Sequence, residues 1–280
     1  MKRKAYLFGP FIGELSWEMF RFAPYAIHLN KTENVDIIVY TRSDRFDLYG
    51  HHARTFVPLT VNDELPHDCF RATGFSAGTY QDLIGVFRKK YEKSKTILDH
   101  FYPDIRNFKY RLKWQFPRMK MDYDFNPRKN NKIIVEEMLG TQKCIFLDLS
   151  WEDRKEEVPK ITKYIKDYFS FMIDTKIVVH TDVEINSDPQ IIPTSDIKLS
   201  LPHTSAVGCM MNILDQTLFS IGNLNSPFSH LSILKNVPLV SLYETRASDE
   251  IDLLNPLKTD VYILEDVTSI KSVHEKVLGI

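Results

Sequence analysis

Cysteine is scarce in this 280-residue chain: Cys69, Cys144 and Cys209 are odd in number and far apart. That excludes a disulfide-stapled scaffold and a Cys-x-x-Cys metal site. No run approaches the roughly 18 consecutive apolar residues of a membrane span. The basic start Met1-Lys2-Arg3-Lys4 lacks the apolar stretch of a signal peptide, because Gly9-Pro10 and Glu14 interrupt the residues behind it. The expected location is therefore cytoplasmic. Neither sign of charge dominates, with 36 basic against 37 acidic residues, which excludes a generally basic chromatin-type protein and an acidic solvating chain. Ten glycines and 14 prolines are too few for collagen or low-complexity sequence. The P-loop, Gly-x-Ser-x-Gly and His-Glu-x-x-His patterns are missing, which removes the readiest ATPase, hydrolase and metalloprotease readings.

What is present is 43% apolar residue content, enough for a core in each of two domains. Ala5–Phe8 reads as a strand ending at Gly9-Pro10. A helical pattern runs from Glu14 to Leu29, which Pro24 should kink or divide, and Val35–Tyr40 reads as a buried parallel-type strand. Residues 41–78 look irregular, and Tyr80–Phe101 reads as one helix. Residues 103–130, rich in Pro, Arg and Lys, read as a linker. Beyond it, strands at Cys144–Leu149, Lys176–His180, Ile197–Leu199, Leu218–Ile221, Leu239–Leu242 and Val261–Leu264 alternate with helices. Those helices are expected at Pro159–Phe171, Ala206–Asp215, Pro227–Lys235 and Val267–Val277, the last of them terminal. The alternation predicts an α/β protein with parallel sheets, residues 1–128 forming one domain and 129–280 the other, with ligands outside the carboxyl ends of the strands.

Three loops at such strand ends carry candidate chemistry. In Phe8-Gly9-Pro10-Phe11-Ile12-Gly13-Glu14, glycine permits close backbone approach and Glu14 is a candidate general base, with Glu18 one turn on as a competing carboxylate. In Gly222-Asn223-Leu224-Asn225-Ser226-Pro227-Phe228-Ser229, Asn225 or Ser226 is a natural helix cap before Pro227. Such a helix start favours phosphate, with Ser226 and Ser229 adding hydroxyls. In Leu149-Ser150-Trp151-Glu152-Asp153-Arg154-Lys155, the two cations are placed for a diphosphate. His180 ends a strand and is a candidate contact for a base or sugar. Asp122-Tyr123-Asp124 is a possible metal-binding triplet, weakened by its place in the linker.

Together the loops resemble the GT-B class of sugar-nucleotide glycosyltransferases, and within it the heptosyltransferase-like branch. The resemblance rests on Gly13-Glu14 with Pro24 further on, where that branch has Gly-Asp. It rests also on Asn225-Ser226-Pro227-Phe228-Ser229-His230-Leu231 followed by Val237-Pro238-Leu239-Val240. Ser226-Pro227-Phe228-Ser229 is similar, too, to the Ser-rich donor loop of fucosyltransferase-like enzymes. The resemblance implies two Rossmann-like domains facing a central cleft, a metal-independent and inverting transfer, and no cofactor beyond the nucleotide-sugar donor. It puts Glu14 in the base position, with Gly13 beside it, and Ser226 in the donor-phosphate position. Ser150, Arg154, Lys155, His180, Asn225 and Ser229 complete the expected substrate contacts.

The acceptor is left open, with nucleic acid among the alternatives. From Arg88 to Lys132 the chain carries 14 basic and 5 acidic residues, interleaved with Tyr102, Phe108, Tyr110, Trp114, Phe116, Tyr123 and Phe125. Cations beside aromatics suit phosphates and stacked bases, although a solvated helix face would look the same. A phage-type DNA-base glycosyltransferase fits this stretch. The alternative from another class is a non-catalytic nucleotide- or nucleic-acid-binding protein on the same sheets.

Overall fold

The computed structural model describes residues 4–11, 15–59, 77–94, 96–102, 120–150, 154–185, 188–224, 226–243 and 255–278. They divide into two compact units, Met1–Arg128 and Lys129–Ile280.

The first unit is a parallel sheet of β1 (Ala5–Phe8), β2 (Asp36–Thr41), β3 (Ala53–Pro58) and β4 (Ile97–Phe101), in the order β3-β2-β1-β4. Between β1 and β2 the chain forms a short α1 (Leu15–Trp17), a π-turn (Glu18–Phe22) and α2 (Ala23–Glu33). Pro24 has no N–H to donate to an earlier turn, so it sits in the first turn of α2 and the wider turn precedes it. Met19, Phe22, Ala23, Ala26 and Ile27 are buried, as their helical spacing requires. α3 (Ala77–Tyr91) packs Phe87 and Tyr91 with residues of β1 and β2.

Three expectations for this half change. The helix read from Tyr80 to Phe101 stops at Tyr91, where Ser94 N donates to Tyr91 O at 2.8 Å, and Ile97–Phe101 becomes β4. Pairing with β1 overrides the local helical pattern there, and Val86 of α3 is exposed. The stretch read as irregular holds β3, a half-exposed strand at the sheet end. Of the expected linker, residues 103–119 lie outside the described residues, and residues 120–128 are packed structure. Asp122 N donates to Pro24 O, Tyr123 Oη donates to Phe20 O, Phe125 is buried, and Arg128 grips the buried Asp47 with Nε and Nη2, both at 2.8 Å.

The second unit has six parallel strands: β5 (Cys144–Asp148), β6 (Lys176–His180), β7 (Ile191–Pro193), β8 (Thr217–Gly222), β9 (Leu239–Leu242) and β10 (Val261–Leu264). Its helices are α4 (Lys129–Leu139), α5 (Val158–Tyr168), α6 (Ala206–Leu214), α7 (Pro227–Leu234) and α8 (His274–Leu278). The strand expected at Ile197–Leu199 lies earlier, as β7, where Ile191–Pro193 pair with Ile177–Val179; flanking prolines hid it. The terminal helix is broken into a 3-10 segment, Val267–Ser272, and α8.

The strand order is β7-β6-β5-β8-β9-β10. The chain winds outward one way from β5, returns, and winds the other way from β8. This is the doubly wound dinucleotide-binding order, and its switch point lies between β5 and β8. The core beneath is formed by Ile145, Leu147, Val179, Phe219, Ile221 and Val240 of the sheet with Val158, Ile161 and Ile165 of α5.

Candidate functional site

At the switch point, β5 ends in Asp148 and β8 ends in Gly222. Asp148 is fully buried. Its Oδ2 accepts from Ser229 N at 2.9 Å and from Ser229 Oγ at 3.0 Å, and its Oδ1 accepts from Ser150 Oγ at 3.0 Å. A carboxylate is thus set against the positive end of α7, where it offsets the helix dipole from inside the protein. Gly222 makes the approach possible: a Cβ there would lie 2.3 Å from Ser229 Oγ and 3.1 Å from Asp148 Cβ.

The start of α7 is the capped helix that the sequence suggests. Ser226 Oγ accepts from Phe228 N at 3.4 Å, and Pro227 needs no partner for its missing N–H. His230 N donates to Ser226 O at 3.1 Å, and the His230 ring binds Leu224 O through Nε2, so this histidine braces the loop. The helix-start N–H groups are therefore engaged within the protein, and the hydroxyls of Ser150 and Ser229 are turned to Asp148. Ser226 is buried but keeps a hydroxyl hydrogen to donate. Asn225 lies outside the described residues.

Beside this cluster, Arg154 precedes a 3-10 turn at Lys155–Glu157 that leads into α5. Its guanidinium lies 4.0 Å from the ring centroid of Tyr243, just past β9, and Nη1 donates to Glu157 Oε1 at 3.2 Å. Tyr243 Oη donates to Glu157 Oε2 at 2.8 Å. Burial and that bond push the phenol up to about 12, so it stays a donor. Tyr243 has φ 58°, a left-handed conformation unusual for a residue with a Cβ. Tyr243 and Glu157 thus hold one cation at the strand ends, while Lys155 is exposed. His180, at the end of β6, bonds Thr194 Oγ1 through Nδ1 at 2.9 Å and meets the Phe228 ring edge-on at 4.5 Å. Ser150, Arg154, His180, Ser226 and Ser229 all belong to the carboxyl ends of β5, β6 and β8. Asp148, Glu157 and Tyr243 were not singled out from sequence. A carboxylate closing the otherwise apolar strand Cys144–Leu147 is the one signal that marks Asp148.

In the first unit, Gly13 and Glu14 lie outside the described residues; the described part of the loop is Gly9–Phe11. Gly9 has φ 112°, and a Cβ there would fall 2.1 Å from Tyr40 O. Gly9 N donates to Phe101 O, Phe11 N to Tyr40 O, and His100 Nε2 bonds Gly9 O at 2.6 Å. Glu18, the competing carboxylate, is fully buried between Arg45 Nη1 at 3.2 Å and Tyr49 Oη at 2.6 Å. Burial pushes its carboxyl up, with Arg45 pulling the other way.

The Asp122/Asp124 pair is bridged by Lys31 Nζ at 2.9 and 2.7 Å, and the bond to Lys31 holds Asp124 below the usual carboxylate range. Among the described residues no group of three or more His, Cys, Asp and Glu is placed to hold a metal ion. No helix among them is long and apolar enough to cross a membrane.

No family model and no curated protein sequence matches the chain. Solved structures do. A family 9 glycosyl transferase from Veillonella parvula matches with TM-score 0.61 at 12% identity, over 98% of this chain and 89% of that one. The ADP-heptose LPS heptosyltransferase II of E. coli matches with TM-score 0.60 at 12% identity, over 98% of both chains. An E. coli heptosyltransferase with ADP-2-deoxy-2-fluoro heptose matches with TM-score 0.53 at 10% identity, over 98% of this chain and 99% of that one. Identity this low speaks for fold. The chain has the GT-B-like α/β fold of these glycosyltransferases.

Proposed function

We propose that this chain is a glycosyltransferase, with Lys129–Ile280 holding a nucleotide-sugar donor and Met1–Arg128 the acceptor. The observation that carries this is the strand order of the second unit, which brings Ser226, His180 and the braced cation Arg154 to the carboxyl ends around one switch point. Two of the solved structures sharing the fold are named for ADP-heptose or hold an ADP-sugar analogue, which supports a sugar nucleotide as donor.

In this reading Glu14 removes the proton from an acceptor hydroxyl. The oxygen bonds to the anomeric carbon as the bond from that carbon to the diphosphate breaks, and the nucleoside diphosphate leaves with the electron pair. Direct displacement inverts the centre. Arg154, Lys155 and the Ser226 hydroxyl, with the Asn225 amide, stabilise the charge on the leaving diphosphate, so no metal is needed. His180 contacts the sugar or base. Ser150 and Ser229 act one step removed, by fixing Asp148 and through it the start of α7.

A non-catalytic nucleotide-binding protein is the second reading: the same carboxyl-end residues, Ser226, His180 and Arg154, would hold a nucleotide whether or not Glu14 takes a proton. Glu14→Gln separates the two. It keeps the side-chain shape and removes the proton acceptor, so turnover should fall on the order of 100-fold or more with nucleoside diphosphate affinity unchanged. Transfer assays and calorimetry on the same preparations read both quantities. Equal turnover in variant and wild type removes Glu14 from the mechanism, and absence of turnover with every donor favours the second reading.

A further inference from the structure

Glu18 is a buried carboxylate that the proposed transfer leaves unused, and it opens a wide turn. α1 is only 3 residues long, and the π-turn Glu18–Phe22 follows it directly. A π-turn takes in about one residue more than a turn of α-helix, so the residues before it are rotated by about 100° around the axis relative to a continuous α-helix. Glu14 stands four positions before Glu18 in the sequence, on the N-terminal side of that turn. Wide turns of this kind recur at functional sites.

Both Glu18 oxygens are taken by the segment after β2. Arg45 Nη1 donates to Oε2 at 3.2 Å and Tyr49 Oη to Oε1 at 2.6 Å, and all three residues are buried. That segment is anchored in turn, because Arg45 belongs to the 3-10 turn Ser43–Leu48, whose Asp47 is gripped by Arg128. Stability alone is a poor account of the cluster. Taking two charges out of water offsets most of their attraction, and apolar side chains of similar volume often serve as well or better. What the cluster supplies is direction: hydrogen bonds to both oxygens of a carboxylate fix its orientation, whereas apolar contacts are non-directional.

We infer that Glu18 is a positioning residue: tied to Arg45 and Tyr49, it locks the rotation of α1 and through it the aim of Glu14 at the acceptor hydroxyl. This rests on the proposed role of Glu14 as base, and Glu18 acts through that residue. Without the tie the wide turn is free to close to ordinary α-helix, and the residues before it swing back. A misplacement of about 1 Å at a reacting group costs on the order of 100-fold in rate.

Steady-state transfer kinetics and melting curves of the full chain test it. The apolar variant, Glu18→Met with Arg45→Met and Tyr49→Phe, removes every bond of the cluster and roughly keeps its volume. It should melt near or above wild type, while kcat falls about 30-fold or more with the donor KM unchanged. Adding Glu14→Gln gives the discriminating comparison. If Glu18 acts only through Glu14, the combined variant is no slower than Glu14→Gln alone, whereas a general packing defect multiplies the two losses. Wild-type turnover in the folded apolar variant overturns the inference, as do multiplied losses, or a loss that merely follows the unfolded fraction. Should the apolar variant not fold, Tyr49→Phe alone, which keeps the ring and removes one bond, is put through the same comparison, with an expected fall in kcat of about 5-fold or more. Failure of the base reading looks different: Glu14→Gln then matches wild type, or wild type turns over no donor, and this inference falls with it.

Discussion

Asp148 shows how much one side chain settles at the site. Burying a carboxylate is costly unless its oxygens are satisfied, and here Ser150 and Ser229 supply donors to both. Asp148→Asn places an amide N–H₂ where one acceptor stood, so at least one donor in the cluster loses its partner. Losing hydrogen bonds to a charged group predicts destabilisation of about 2–3 kcal/mol. Gly222→Ala attacks the same cluster from β8, because its methyl would drive Ser229 Oγ off Asp148, at about 1–3 kcal/mol for overpacking. Since both changes break the same bonds, the double variant should lose less than the sum of the two singles. Urea unfolding measures all three. Additive losses, or an Asp148→Asn cost under about 0.5 kcal/mol, would show that the cluster does not hold α7 in place.

Between elements, the link from β4 to the loop after β1 predicts a pH response. Burial holds the His100 imidazole below its usual range, and its Nε2 bonds Gly9 O. His52, in the same unit, is lowered by burial too. The sign depends on which state takes the proton first. As pH falls through about 6.5 the unfolded chain protonates before the folded one, so stability present above that pH is lost as it falls further. Melting of the first unit should drop between pH 7 and 5, and His100→Gln should reduce that drop. An unchanged drop in His100→Gln would leave His52 as its source.

The same region shows where sequence stops being informative. β1, β2, β5, β6, β8, β9 and β10 are short β-branched or apolar runs, and Ser226-Pro227 announces α7, so these elements were legible. β4 was not, because its side chains are exposed or half-buried and it lacks an apolar run, and its strand character comes from pairing with β1, some 90 positions away. β3 failed for a like reason, carrying Arg54 outward at the sheet end. At the site, position after a strand marked the loops of Ser150–Lys155 and Gly222–Ser229. The inward turn of Ser150 and Ser229 was invisible, because the partner that turns Ser229 is 81 residues distant.

Across the molecule, each unit has its own sheet and its own buried cluster, so a ligand held by one stabilises that one directly. A nucleoside diphosphate at 100 times its dissociation constant adds about 2.7 kcal/mol to the state that binds it. For a unit of about 150 residues, 1 kcal/mol moves the midpoint by about 2–4 °C, so a rise of roughly 5–10 °C is expected in the transition of Lys129–Ile280. Hydrogen exchange locates the effect. Amides after β5, β6 and β8 should slow, and those of β1 and β2 should not. The rise should survive EDTA, because Arg154, held by Tyr243 and Glu157, and the exposed Lys155 supply the positive charge that a divalent ion would otherwise bring. Arg154→Gln removes the braced cation and should cut the affinity on the order of 10-fold or more, as expected for a charge-assisted contact to phosphate. A shift abolished by EDTA and restored by magnesium would put a metal under the diphosphate. Protection confined to β1 and β2 would move the donor to the first unit and reverse the assignment of the two halves.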